Sequence, residues 1–160
     1  SKDACAGIGI TMEDLYEGAT DSFVIGMANG NSKEGFFSFK RYHPHFETNQ
    51  KKKLTAAEEM LFLKRCCKVL IHETMHLLGI NHCVWFSCCM QGSGHLQEDF
   101  AQPIHLCPVD LAKLQHSLKF DILEQHQKLL SFYSEYQWAE EKAWMTKRLQ
   151  AIQDYKASND

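Results

Sequence analysis

No apolar run of about eighteen residues or more occurs in this 160-residue chain, so no membrane-spanning helix is expected. The first residues, "SKDACAGIGITMED", contain no apolar signal core and no cleavage pattern. Asn-x-Ser/Thr acceptor sites, internal repeats and low-complexity segments are all missing. No large charge excess exists either: the net charge is −3 and the pI about 6.3, which gives no electrostatic reason to expect nucleic acid or a membrane surface as partner. The only basic run, Lys51-Lys52-Lys53, reads as a solvated loop. The length is that of one domain able to bury a real core.

Cysteine, in contrast, is abundant. There are seven, an odd number, and five of them fall between Cys66 and Cys89, with Cys107 not far beyond. Disulfide scaffolds spread their cysteines more evenly, so clustering in a chain without a secretory signal favours free or metal-bound thiols. A reducing, intracellular and cytoplasmic setting is expected.

Three short β-like runs come first: around Ile8-Gly9-Ile10, "SFVIGMA" (22–28) and "GFFSFKRY" (35–42). "NGNSKEG" between the last two reads as a turn, so those two are expected to pair as a hairpin. His43 and His45 flank Pro44 in a loop and read as surface residues. Thr55, three residues before Glu58, matches a capping box and should start a helix. At about 100° per residue, Met60, Leu63, Cys67, Leu70, Leu77 and Leu78 share one broad arc, with His72 and His76 on roughly the opposite side. Cys66 and Cys67 sit mid-helix and read as buried small thiols. Residues 83–110 lack any sustained period and read as irregular. From Leu111 to about Tyr155 the pattern is helical, interrupted near "SFYSEY" (131–136). Leu111, Leu114, Leu118, Ile122 and Leu129-Leu130 are its core-facing residues. The chain thus divides into a β-rich front part (1–54), a helix and turn (55–82), a cysteine-rich segment (83–110) and C-terminal helices (111–155), within one α+β domain spanning 1–160.

The chemistry concentrates in "HETMHLLGINHC", residues 72–83. His72 and His76, four apart on a helix, stack one turn over the next and can bind one cation together. Glu73 is rotated about 100° from His72, too far round for a third ligand of the same ion, but placed to hydrogen-bond a water held there. That is the position of a general base. Gly79 can stop the helix in a left-handed conformation, and His82 can then return to the metal. Three neutral imidazoles leave a tetrahedral zinc one open position, which a catalytic site requires and a structural site lacks. Cys83, Cys88, Cys89 and Cys107 form a second set at plausible metal spacing. Cys83 adjoins His82 and so points to a separate ion; ordinary buried cysteines are the alternative.

"HETMHLLGINHCVWFSCCMQGS…LCPVDLAKL" resembles the archaemetzincin family of metzincin-like zinc metallopeptidases, and "RCCKV" and "MQGSGHL" resemble its vertebrate branch. "GITMEDLY", "FVIGMA" and "GFFSFKRY" are similar to the family's strand segments, so the likeness runs from about Gly7 to Leu118. The resemblance implies a zincin-like α+β domain with a small mixed sheet, an active-site helix, an irregular zinc-binding segment and C-terminal helices. It implies two zinc ions. His72, His76 and His82 would hold the catalytic one, Glu73 would be the base that activates zinc-bound water, and Met90 would form the Met-turn floor. Cys83, Cys88 and Cys107 would hold the structural one. The family pattern expects a cysteine three residues after Cys107, where this chain has Asp110; Asp110 itself, Cys89, His105 or water would fill that place.

The resemblance further implies hydrolysis of peptide bonds, aminopeptidase-like, in a peptide or protein substrate. Some related metalloproteases add a tyrosine after the Met-turn. Here none follows Met90 until Tyr133, so zinc would carry most of the oxyanion work. By the same resemblance "GFFSFKRY" is the candidate strand for pairing with an extended peptide; a core strand is the alternative. The family domain carries more β structure and a helix ahead of "GIGITMEDLY". On that comparison the chain reads as a fragment or shortened form, with an incomplete sheet and an open strand edge. The competing reading is a catalytically inactive zinc-binding module: Asp110 and the shortened front favour it, and the intact Glu73 opposes it.

Overall fold

Thr55 begins the longest helix, α1 (Ala56–Leu77), as its sequence predicts. Its hydroxyl accepts from the Glu58 amide and the Glu58 carboxylate accepts from the Thr55 amide, so two otherwise orphaned donors are satisfied reciprocally. This computed structural model describes residues 5–18, 23–48 and 52–159. Ser22 of the second β-like run and Lys51 of the basic run lie outside the described residues. Two compact units are present, Ser1–Leu111 and Ala112–Asp160.

In the first unit, β1 (Gly7–Thr11), β2 (Gly26–Asn29) and β3 (Glu34–Ser38) form one sheet in the order β1-β3-β2. β2 and β3 pair antiparallel as the expected hairpin, and β1 runs parallel to β3. Asn29 makes the turn, its Oδ1 accepting from the Asn31 and Ser32 amides. Two expectations need correction here. β3 is the middle strand, so both its edges are already paired and it cannot add a peptide through main-chain bonds; the outer edges belong to β1 and β2. The "GFFSFKRY" run also stops being a strand at Ser38 and turns into a 3₁₀ segment over Lys40–Tyr42.

α1 packs on β2, β3 and the 3₁₀ segment, with Phe37 and Leu77 fully buried. The expected single apolar arc is too narrow. Lys68 and Val69 are also buried, and α2 (Leu96–Ala101) accepts the Lys68 ammonium on the Asp99 and Phe100 carbonyls at 2.8 and 2.9 Å. α2 is a helix within the segment expected to be irregular; His95 caps it by accepting from the Glu98 amide. Nor are His43 and His45 simple surface residues: the His43 ring meets Phe62 edge-on, and His45 Nε2 lies 2.7 Å from the Glu58 carboxylate. Cys66 and Cys67 are half-buried, and burial pushes both thiols up, Cys66 to about 12.

α3 (Pro108–Leu118) leads from the first unit into the second, which continues with α4 (Ile122–Glu135) and α5 (Ala139–Ala157). The sequence suggests one interruption; there are two. Lys119 and Gln137 adopt positive φ, 55° and 56°, and "SFYSE" stays helical, with the second break falling at 136–138. Leu111 and Leu114 are buried as expected, whereas Leu118 is 52% exposed. α4 and α5 pack together, with Tyr133 and Trp138 stacked at 5.8 Å. Among the described residues no helix is long and apolar enough to cross a membrane.

Candidate metal centre

The end of α1 is built to turn a histidine back on the helix. Gly79 has φ +87°, its amide donates to His76, and the Ile80 amide donates to Met75. These are the two bonds of a Schellman stop, and a side chain at Gly79 would be strained there. Lys33, from the β2–β3 turn, adds its ammonium to the Leu77 carbonyl at 2.7 Å. The Ile80 carbonyl, brought round by the stop, accepts from His76 Nδ1 at 2.7 Å. His72 Nδ1 donates in the same way to the Cys89 carbonyl at 2.6 Å. A carbonyl can only accept, so both Nδ1 atoms carry the proton and both Nε2 atoms present lone pairs.

Those lone pairs converge. His72 Nε2 lies 3.1 Å from His76 Nε2 and 3.3 Å from His82 Nε2. Two lone pairs at that distance repel unless a cation lies between them. Zinc–nitrogen bonds of about 2.0–2.1 Å in a tetrahedron set nitrogen pairs roughly 3.3 Å apart. The donor set therefore fits a zinc ion. Burial holds His72 down to about 4, with the neighbouring imidazoles adding to the effect, and burial also lowers His82. Both shifts favour the neutral, ligating form of His72 and His82. Gly92 lies against the third ring, where an added Cβ would sit 3.1 Å from His82 Nδ1.

Glu73 is not in this group of three. It is half-buried, and desolvation, then the negative charge of Asp99, push its carboxyl up to about 7. Asp99 is buried behind it and takes the hydroxyl of Tyr42, itself 1% exposed. Sequence reasoning missed Tyr42, Lys68 and Asp99. Their only local signal was polar residues beside apolar ones, because what groups them is tertiary packing of α2 and the 3₁₀ segment on α1. Met90 is fully buried, and its carbonyl accepts from the Cys83 amide at 2.8 Å.

Cys83, Cys88, Cys107 and Asp110 form a second cluster, with their ligand atoms all within 4.8 Å of one another. Cys83 Sγ and Cys107 Sγ are 3.9 Å apart, and Asp110 Oδ2 lies 3.4 Å from Cys88 Sγ and 3.5 Å from Cys107 Sγ. A tetrahedral zinc with sulfur at about 2.3 Å and oxygen at about 2.0 Å would space sulfur pairs near 3.8 Å and sulfur–oxygen pairs near 3.5 Å. This set fits zinc too. The Cys107 and Asp110 amides point at the Cys88 and Cys107 sulfurs, at 3.1 and 3.4 Å, as suits thiolates. Burial pushes the Cys88 and Cys107 thiols up, so a divalent cation must displace their protons. Of the other fourth-ligand candidates, Cys89 is buried outside the quartet with its thiol pushed up to about 12, and the His105 carbonyl accepts from the Cys89 amide.

A small mixed sheet, a long helix carrying two imidazoles, and a third imidazole beyond a glycine stop define a zincin-like domain, and the comparisons narrow it. The chain belongs to peptidase family M54, whose model matches residues 4–116. Archaemetzincin-2 of Mus musculus is 37% identical over 150 residues, covering 82% of this chain and 42% of the relative. The archaemetzincin of Methanopyrus kandleri, a solved structure, superposes with a TM-score of 0.55 at 30% identity, over 72% of this chain and 57% of that one. A zinc-dependent peptidase from Methanocorpusculum labreanum gives 0.56 at 25% identity, over 67% and 52%. The chain spans about half the length of the curated relatives it matches.

Proposed function

We propose that this chain carries the catalytic centre of a zinc metallopeptidase. The convergence of three Nε2 atoms, two of them made lone-pair donors by carbonyls on their Nδ1 atoms, is the observation that carries the reading. Family membership and the zinc-dependent peptidase of Methanocorpusculum labreanum support it. A zinc ion held there supplies Lewis-acid activation of water and of the scissile carbonyl.

The chain's own residues do the rest. His72, His76 and His82 bind through Nε2 and leave one position open. Glu73 takes the proton of the attacking water on its carboxylate and returns it to the leaving nitrogen. A carboxyl held near 7 suits both steps at neutral pH. Met90 forms the floor beneath the triad. The outer edge of β2 has no strand paired to it among the described residues and offers main-chain bonds to an extended peptide; the turn that follows β2 is tied to the metal-bearing helix through Lys33 and Leu77. Cys83, Cys88, Cys107 and Asp110 hold a second, structural zinc. An aminopeptidase-like preference is the finer reading, carried by the family resemblance.

Profiling a mixed peptide library with the zinc-loaded chain tests this, with Glu73→Ala as the blank. Cleavage in the first and none in the second is expected. Zinc bound with no cleavage in either would favour the inactive zinc-binding module.

A further inference from the structure

We infer that the loop Val84-Trp85-Phe86 is the substrate-recognition element of the proposed peptidase, taking a large uncharged apolar side chain of the peptide next to the scissile bond. The inference rests on the reading of the His centre as a peptidase site. Val84, Trp85 and Phe86 are 76%, 85% and 47% exposed, although apolar side chains of this size normally contribute most when buried. Three consecutive ones in the open mark a surface awaiting a ligand.

What reaches that surface follows from how the loop is anchored. It starts two residues after His82, and its base is closed by the Cys83 amide on the Met90 carbonyl. Its two ends are Cys83 and Cys88, both in the second cluster, with Cys88 fully buried. The apolar tip is thus carried on a pinned base and not on a floppy excursion, which reduces the ordering cost of binding. On its far side, Ser87 opens a groove of about 330 Å³ whose wall includes Gln91, Gly92, Glu98 and Gln102. Gly92 also abuts the His82 ring. Loop, groove and the Nδ1 side of the third imidazole are therefore contiguous, and the loop, following directly from His82 in the chain, flanks the proposed centre.

The chemistry of the occupant follows from charge. Residues 74–97 include no Asp, Glu, Lys or Arg. The groove's carboxylate, Glu98, is engaged by the Gly94 amide at 2.7 Å and by His95 Nε2 at 3.5 Å, so a charged side chain lying on the loop tip would lose hydration without a dedicated counter-charge from Val84, Trp85 or Phe86. An aliphatic or aromatic one gains by burial against Trp85 and Phe86.

Two dye-labelled peptides, identical except for Leu or Ser beside the cleaved bond, test the inference. Their affinities are measured by fluorescence anisotropy on zinc-loaded Glu73→Gln, and their KM and kcat on the wild type. The leucine peptide is expected to bind about tenfold tighter. Trp85→Ala in the Glu73→Gln background should bring the two peptides within about twofold, at unchanged zinc content, and Trp85→Phe should restore most of the preference. In the wild-type background the loss should fall on KM. Equal binding of the two peptides, or a preference that survives Trp85→Ala, would overturn the inference. So would Trp85-dependent binding to phosphatidylcholine vesicles without peptide discrimination, which would make the loop a membrane anchor. Absence of cleavage with the binding preference intact would remove the peptidase reading and leave the recognition loop.

Discussion

His72 Nε2 and His76 Nε2 sit 3.1 Å apart while the Nδ1 atom of each ring donates to a backbone carbonyl. In neutral rings the two facts together set the Nε2 lone pairs facing each other, an arrangement that a bound cation relieves. One carbonyl, that of Ile80, is delivered by the helix stop at Gly79, and the other, that of Cys89, by the segment leading into Met90. The glycine stop and the segment leading into Met90 therefore do more than route the chain: they set the tautomers of His72 and His76.

Glu73 should separate binding from turnover. Glu73→Gln is expected to keep its zinc and lose at least about a hundredfold in kcat/KM, the general-base contribution. Zinc content by mass spectrometry and peptide turnover check it together; turnover at the wild-type rate would remove Glu73 from the mechanism.

The two centres should part company in acid. His72, depressed to about 4, stays neutral and able to ligate as pH falls through 6 and 5, and His82 shifts in the same direction. The Cys88 and Cys107 thiols are raised, so their protonated forms return at higher pH. On lowering the pH from 8, the cysteine-site zinc is expected to leave first. A chromogenic chelator should record an early release in the wild type that is missing from Cys88→Ser/Cys107→Ser. An early release that persists in that variant would reverse the assignment.

Much of this was legible in the chain itself. The capping box, the glycine stop and the spacing that brings His72, His76 and His82 together are local features, and local geometry obeys them. The hairpin was legible because its turn chemistry is local too. The strand order was not: parallel pairing of β1 with β3 is a long-range choice, and it makes "GFFSFKRY" a central strand and not a substrate edge. Lys68, Tyr42 and Asp99 escaped for the same reason, since a buried polar group is intelligible only once its partners are seen. Leu118 satisfied the helical period yet stands in the open next to the break at Lys119.

A side chain at Gly92 should press on the His82 ring. With the ring of His82 3.1 Å from an added Cβ and tied to the metal by its other nitrogen, Gly92→Ala must move either the ring or the chain. Zinc affinity at the His centre is expected to fall by about tenfold or more, the scale of a lost supporting contact. Competition with a fluorescent chelator measures it; unchanged affinity would show that the segment yields instead.

Asp110 should behave as a ligand. With cobalt(II) as a spectroscopic stand-in, Asp110→Cys is expected to add roughly one third to the thiolate charge-transfer absorption of the second centre, as three sulfurs become four. Asp110→Ala should weaken cobalt binding there without altering the His centre. An Asp110→Ala spectrum and affinity identical to wild type would assign the fourth place to another group.

The most direct measurement is anomalous diffraction at the zinc absorption edge from crystals of the zinc-loaded chain. The account predicts a peak at about 2.0–2.1 Å from Nε2 of His72, His76 and His82, with solvent as the fourth neighbour and Glu73 outside the coordination shell. A peak with a fourth protein ligand closing the site, or no peak among the three rings, would contradict it.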